Sequence, residues 1–416
     1  MIESRRLYEL FTGDPSEYRR FIDQIFHERV ESVLTRVPFF RDYMNAKELT
    51  PSDFMTIDTV RKFPILDRRF IQGQEMASLI NSSVDMAQLP PPSHTSGSSG
   101  KPLELHASRD FYIASFYIMQ LSYGGSLPFV VACLSDRDYT LPAVDGCQVH
   151  FISRKSPVDR LYARLVEIKP QIVMMRPDRW RLLVDEFGAD LARLRLTVAG
   201  VSSAMSTASE RAYFGTFLGC PTPNMYGATE LGGAIFECPF GREHVVSHNN
   251  YLEIVQDDGS DSRPGETGHL VWTSLDNTIM PFVRYKIGDV GAFAREQACN
   301  CGWNGPVVEG VRATRPKEAV VLPNGLKMSF YHFNVEILKN EGSSLFRQYQ
   351  LIQERTDLLR LLVVKSAFFK ERGMEDMLIR LRELLLGEIA LEVTYVEHIE
   401  QAGNKFQFFV PLNVKN

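Results

Sequence analysis

Between His94 and Leu105 the chain reads His-Thr-Ser-Gly-Ser-Ser-Gly-Lys-Pro-Leu-Glu-Leu, residue types that suit an anion. Gly97 and Gly100 permit backbone angles closed to other residues, so successive N–H groups can converge into an anion-binding concavity. Thr95, Ser96, Ser98 and Ser99 add hydroxyl donors, and Lys101 adds a mobile cation. The phosphate loop of ordinary nucleotide folds needs G-x-x-x-x-G-K followed by Ser or Thr. Here the gap between the glycines is shorter and Pro102 follows the lysine, so no hydroxyl stands ready for magnesium. Downstream, Leu103-Glu104-Leu105-His106 alternates like a strand. The run therefore fits a glycine-rich turn between two strands, although a flexible linker has the same composition.

Cys238, His244, Cys299 and Cys301 form a second constellation. Three thiolates and one imidazole suit a tetrahedral, closed, structural Zn2+. The Cys299-Asn300-Cys301 spacer is tighter than most zinc pairs, and His248 competes with His244. Free buried cysteines beside a surface histidine are the alternative reading. Cys133, Cys147 and Cys220 lie in apolar surroundings and are expected in the core.

Four more segments accompany the glycine-rich run. They are Tyr226-Gly227-Ala228-Thr229-Glu230, Gly265 to Thr273 (GETGHLVWT), Pro281 to Asp289 (PFVRYKIGD) and Gly403-Asn404-Lys405. In order and rough spacing the set resembles the adenylate-forming superfamily of acyl- and aryl-CoA ligases. Within it the chain is similar to the phenylacetate–CoA ligase-like branch, also in Val37 to Arg41, Lys62 to Leu66 and the Glu237-Cys238 pair. The resemblance covers nearly the whole chain. It implies two half-reactions: a carboxylate attacks the α-phosphorus of ATP and expels pyrophosphate, then a thiol displaces AMP from the acyl-adenylate. The first step brings two anions together, so the site must supply positive charge and alignment.

By that resemblance Thr95, Ser96, Gly97, Ser98, Ser99, Gly100 and Lys101 hold the β- and γ-phosphates. Glu230 binds Mg2+, and Thr229 touches the α-phosphate. Tyr226 and Gly227 flank adenine, with Gly200 and Val201 walling the nucleotide. Asp289 and Arg312 take the ribose, and Lys405 bridges carboxylate and α-phosphate. Taken singly, Tyr226 could be core, Glu230 a solvated helix-start carboxylate, Asp289 a turn residue and Lys405 a solvated terminal lysine. The chain departs from the family at the hinge, where Glu309 to Arg315 carries Arg312 but no following aspartate, and at Ala199 to Ser203, which lacks the usual glutamate.

The implied cofactors are ATP, Mg2+ and CoA, with structural Zn2+ as above. Partners are a small carboxylic acid and either CoA or a carrier protein; a homodimer is left open. An amine acceptor and a non-catalytic nucleotide- or acid-binding relative are the competing functions. Phe116, Tyr117, Tyr123, Phe236 and Met205 are candidates for an aromatic acid pocket favouring an aryl or arylalkyl acid, although aromatics at such spacing also make plain core.

These residues need a scaffold. The chain has 416 residues, 44% hydrophobic and 23% charged, an ordinary globular composition. A net charge of −5 offers no basic field for nucleic acid. The longest apolar runs are too short to span a membrane, the charged opening is no signal peptide, and the cysteines form no disulfide framework; a cytoplasmic setting is expected. Glu17 to Val37 has helical periodicity, as does the Phe/Tyr-rich stretch Phe111 to Tyr123. Strands at 129–134, 149–152, 171–175 and 196–199 alternate with helices at 158–168 and 179–187. After Asn249, strands at 252–255 and 269–273 joined by Asp-Gly and Pro-Gly turns suggest a β-rich part. Beyond Arg312 the pattern is strand, turn, helix, strand, strand, helix, strand. The expected fold class is α/β: a large N-terminal domain (1–311) of mostly parallel sheet layers with helices plus a β-rich subdomain at about 249–311. A small mobile α+β C-terminal domain (312–416) is joined to it by a hinge.

Overall fold

The computed structural model describes residues 4–89, 92–94, 103–107, 113–144, 146–313, 319–385, 389–400 and 406–412. The chain divides into two compact units, Met1–Gly124 with Met225–Ala313, and Gly125–Asn224 with Thr314–Asn416. The last division falls close to the boundary expected at 311/312, and the first two divide the stretch read as one large domain. No helix among the described residues is long and apolar enough to cross a membrane.

The first unit begins with helices. Asp14 caps the helix Pro15–Ser32 by accepting from Ser16 N at 2.7 Å, Pro15 opens it, and Ile22, Phe26 and Val30 bury one stripe. The helix stops short of Val37. A 3-10 turn, Leu34–Arg36, intervenes, because Pro38 disfavours helical geometry at the residue before it. These helices cover an antiparallel sheet ordered Asn250–Val255, Gly268–Ser274, Tyr285–Phe293, Val307–Ala313, Glu243–Val245, Gly232–Glu237 and Asn224–Ala228. Its inner face packs Leu252, Ile254, Leu270, Trp272, Ile235 and Val308 into one apolar cluster, with Tyr226 against it.

The Lys62 to Leu66 segment is strapped onto this sheet. Leu66–Asp67 pairs in parallel with Tyr285–Phe293, and Leu66 N donates to Arg284 O at 2.9 Å. Arg284 takes a left-handed backbone conformation (φ 47°), which a non-glycine residue adopts only when its surroundings hold it there. They do so: its guanidinium makes two 3.0 Å bonds to buried Glu253 and one of 2.9 Å to Phe63 O.

In the second unit, Val198–Ser202, Ile172–Met175, Phe129–Ser135 and Cys147–Ser153 lie side by side in parallel, with the short Tyr139–Thr140 antiparallel at the edge. The helices Val158–Ile168, Pro177–Phe187 and Ala208–Leu218 bury Leu161, Trp180, Leu183 and Phe214 with them. This is the alternation read from the sequence. Parallel strands buried on both faces read as short continuous apolar runs. The C-terminal block forms a separate sheet, Ala390–Tyr395, Leu358–Lys365, Phe346–Arg355 and Phe409–Val410, carrying the helices Phe330–Leu338 and Glu371–Leu384. It is anchored to the helices of its own unit. Buried Arg181 pairs with Glu210 and donates to Ser343 O at 2.9 Å, and Arg347 reaches Asp185 at 2.8 Å.

Removing one partner of a buried ion pair leaves the other charge uncompensated, at a cost of about 3–5 kcal/mol. Glu253→Ala is therefore expected to destabilise the first unit by about that much, read from urea unfolding followed by the fluorescence of Trp272 and Trp303. A loss under about 1 kcal/mol would show that the pair does not hold the strap.

Candidate functional site

The Tyr226 motif lies at a strand turn. Asn224–Ala228 and Gly232–Glu237 form an antiparallel hairpin, with Gly227 opposite Gly233 and Ala228 opposite Gly232. A side chain at Gly227 would put its Cβ 2.2 Å from the Gly232 carbonyl oxygen, so the second motif position must be glycine for the hairpin to close. Thr229 and Glu230 occupy the turn; Thr229 is half-buried and Glu230 is only 5% exposed.

The Asp289 motif is on the Tyr285–Phe293 strand, with three strands between it and the Tyr226 strand in the sheet order. The sheet nevertheless brings the two motifs together. Tyr226 Oη donates to Asp289 Oδ2 at 2.7 Å, and Tyr285 Oη lies 3.4 Å from Glu230 Oε1. Each motif thus supplies a tyrosine to the other's carboxylate. Burial above all, then the neighbouring Glu230 carboxylate, keeps the Tyr285 phenol far from ionising, so it serves as a donor. Trp272, fully buried, stacks beside Tyr226 with centroids 6.3 Å apart. Arg312 sits on the adjacent strand opposite Val290, one position from Asp289's partner Ala313, and its Nη1 donates to Gly310 O at 2.9 Å. A tyrosine, two buried carboxylates and an arginine on neighbouring strands are residue types that can meet a base, ribose hydroxyls and a hard cation.

Other predicted residues are placed differently. Thr95 to Lys101 lie outside the described residues. Their flanks pair antiparallel, Ser93 opposite Leu105 and His94 opposite Glu104, and Glu104 Oε1 meets His106 Nε2 at 3.1 Å. Lys405 is also outside the described residues. Next to it, Phe406 O accepts from Arg176 Nη2 at 2.9 Å, while Arg176 Nη1 donates to Ser203 O at 3.0 Å. Gly200 and Val201 belong to the second unit. Gly200 O accepts from Trp180 Nε1 at 3.1 Å, and the Val201 side chain is core. Of the acid-pocket candidates, Phe116 and Tyr117 are buried on the helix Ile113–Ser122, Tyr123 Oη is spent on Glu237 O at 2.8 Å, and Phe236 packs edge-on against Trp303.

The four metal-ligand candidates converge, with their ligand atoms all within 4.8 Å of one another. Cys238 and His244 come from the two arms of one hairpin, in which Phe236 faces His244, and Cys299 and Cys301 come from the loop before Val307–Ala313. Burial depresses the His244 pKa to about 4, so the imidazole is neutral and able to ligate. His248 instead packs edge-on against Phe11 at 5.2 Å and takes no part. Cys133 and Cys147 are buried as expected, whereas Cys220 is only half-buried.

Tyr285 and Trp272 were not singled out by sequence reasoning. Tyr285 lies inside the Pro281 to Asp289 motif, and that position was the available signal.

The fold and this pairing of motifs define an adenylate-forming enzyme. The family model described as AMP-binding enzyme matches residues 84–279. Within that superfamily the chain is similar to phenylacetate–coenzyme A ligases. It is 24% identical to the phenylacetate-coenzyme A ligase of Thermus thermophilus over 88% of this chain and 86% of that one. It is 22% identical to the enzyme of the same name from Escherichia coli over 70% of each. In fold it is similar to 2-hydroxyisobutyryl-CoA ligase in complex with an acyl-adenylate, with a TM-score of 0.74, 14% identity, and coverage of 97% of this chain and 92% of that one.

Tyr226→Phe removes one hydrogen bond to a carboxylate, worth about 1.5–3 kcal/mol. The KM for ATP is expected to rise about tenfold or more with kcat changed far less. An unchanged KM would show that Asp289 does not need this donor.

Proposed function

We propose that this chain activates an aryl or arylalkyl carboxylic acid. The coarser activity follows from its class: an AMP-forming acid–thiol ligase forms an acyl-adenylate with release of pyrophosphate and passes the acyl group to the thiol of CoA. The observation that carries the assignment of residues is the reciprocal pairing of Tyr226 with Asp289 and Tyr285 with Glu230. In this reading Asp289 accepts from the ribose hydroxyls and Arg312 donates beside it. Tyr226 and Gly227 edge the base, and Gly200 and Val201 keep the nucleotide-contacting role that the resemblance implies. Glu230 takes Mg2+ through the oxygen that Tyr285 does not hold, and Thr229 donates to the α-phosphate. Thr95, Ser96, Gly97, Ser98, Ser99, Gly100 and Lys101 take the outer phosphates.

Lys405 supplies the cation at the point where the acid's oxygen meets the α-phosphorus. Charge at that point is worth most, because both reactants are anionic and positioning with electrostatics carries most of such a transfer. Arg176, itself buried, bonds to Phe406 O and so fixes the chain beside that lysine. We assign it a positioning role in the first half-reaction only. The C-terminal block is the part that moves between half-reactions, and a homodimer in a cytoplasmic setting belongs to the same reading. Zn2+ at Cys238, His244, Cys299 and Cys301 is structural, apart from the chemistry. Transfer to a carrier protein or an amine keeps the same first step and differs only in the acceptor.

ATP–pyrophosphate exchange across a panel of carboxylic acids tests the reading. An arylalkyl acid should support exchange, and CoA should then yield its thioester; no exchange with any acid would remove the proposed activity. Lys405→Ala should abolish exchange and spare thiolysis of supplied acyl-adenylate, and Arg176→Ala should lower exchange about tenfold with the same selectivity. Equal loss of both steps would show that these residues serve general stability. Glu230→Ala should raise the magnesium concentration needed for half-maximal exchange; an unchanged requirement would remove the metal assignment.

A further inference from the structure

The metal centre and the N-terminal helix meet in one short loop. Around zinc, Zn–S of about 2.3 Å and Zn–N of about 2.0–2.1 Å place two sulfurs about 3.8 Å apart and a sulfur and a nitrogen about 3.5 Å apart. Cys238 Sγ and Cys299 Sγ are 3.7 Å apart, and Cys301 Sγ and His244 Nε2 are 3.3 Å apart. The atoms around the ligands are arranged to match. His244 Nδ1 meets Gly305 O at 3.3 Å, so the proton lies there and Nε2 presents its lone pair to the thiols. Trp303 N donates to Cys301 Sγ at 3.4 Å, as a backbone amide does to a metal-bound thiolate. With four protein ligands, two of them buried, the site leaves no open position for a reacting group.

The loop bearing Cys299 and Cys301 connects the Asp289 strand with the Arg312 strand and contains no strand or helix of its own. Immediately after the second thiol, Trp303 stacks on Phe11 at 4.6 Å and 13°. Asn304 then binds the end of the first helix twice: its N donates to Phe11 O at 2.8 Å and its Nδ2 to Gly13 O at 2.9 Å. Phe11, on the helix Ser4–Thr12, is fully buried, and its neighbours Tyr18 and Phe21 come from the next helix. A nine-residue helix has little stability of its own in water, so it is held by what it packs on. Loop residues without a ladder owe their order to whatever fixes their ends.

We propose that the zinc centre is the clamp that docks the N-terminal helix Ser4–Thr12: the ion orders residues 299–304, and these residues hold the helix through Trp303 and Asn304. The inference rests on the zinc assignment above and adds to it a dependent element. The ion thereby joins three segments far apart in the chain: the helix, the Cys238–His244 hairpin and the link between the two nucleotide-side strands.

The test separates the two levels. Elemental analysis of the purified full-length protein should give one zinc per chain, and replacement by Co2+ should give the absorption of tetrahedral cobalt bound to thiolates. Metal well below one per chain, in protein grown with zinc, would overturn the zinc assignment itself. Hydrogen exchange is then followed with and without a zinc chelator. Peptides covering 4–13 and 296–305 should both exchange about tenfold faster or more once the ion is removed, while peptides covering 158–187 should not change. Zinc at one per chain with 4–13 equally protected in both states would leave the metal site standing and overturn the clamp. Phe11→Ala, which touches no ligand, should release 4–13 while zinc content stays at one per chain; protection of 4–13 persisting in that variant would also overturn it.

Discussion

A carboxylate removed from water takes up a proton unless donors or cations are provided, and the first unit is organised around two such groups. Glu230 and Asp289 are each almost wholly buried, yet each must stay an acceptor to hold a cation or a sugar hydroxyl. The solution is local and reciprocal. A phenol gives a donor without adding a positive charge beside the carboxylate. A lysine in the same place would neutralise the carboxylate before any ligand arrived.

This arrangement constrains the sheet. Tyr226 and Asp289 lie on strands separated by three others, and a 2.7 Å bond between them requires the sheet to curl. The middle of that path is made of short pieces: Glu243–Val245 is only three residues long. A short strand adds few ladder bonds to resist twisting, and the interior left by the curl is filled by Trp272, Leu270 and Ile235. The hairpin containing Glu243–Val245 ends in the cysteine–histidine cluster. Curvature and cluster are thus features of one stretch of chain.

Much of this was legible in the sequence, for identifiable reasons. The 158–168 helix and the strands of the parallel sheet are local patterns, and their periodicity survives folding. Boundaries set by proline were harder: the helix expected to reach Val37 ended at Ser32, because Pro38 acts one residue upstream of itself. The motif residues were found as motifs, but the Tyr285–Glu230 contact was not. It joins positions 55 apart across a curled sheet, and no spacing rule encodes it. The choice between His244 and His248 was equally closed to inspection. Both lie near Cys238 in sequence, and only strand register decides which ring turns toward the thiols. The grouping of the C-terminal block with 125–224 depends on Arg181 and Arg347, which read as ordinary surface charges until their partners are known.

The distribution of charge along the chain has its own logic. In the proposed reading Glu230 and Asp289 meet parts of the nucleotide that persist through both half-reactions, and they are on a sheet stiffened by a core and a buried ion pair. In the same reading Lys405 is needed at full strength only while two anions are forced together. A cation fixed there permanently would stabilise the adenylate and its reactants alike, and uniform stabilisation does not speed a step. Next to Lys405 in sequence, Phe406 is held by the Arg176 bond to its carbonyl and by a small apolar cluster with Val364 and Ile399. Polar bonds of this kind are worth little net, because water offers the same groups equivalent partners once they part. In the proposed reading a segment that arrives for one step and leaves for the next is better held by such bonds and a small apolar contact than by a large face of buried hydrocarbon, whose separation costs free energy in proportion to the area exposed. In that reading the Arg176 contact is the place where the exchange between protein and water partners would be decided.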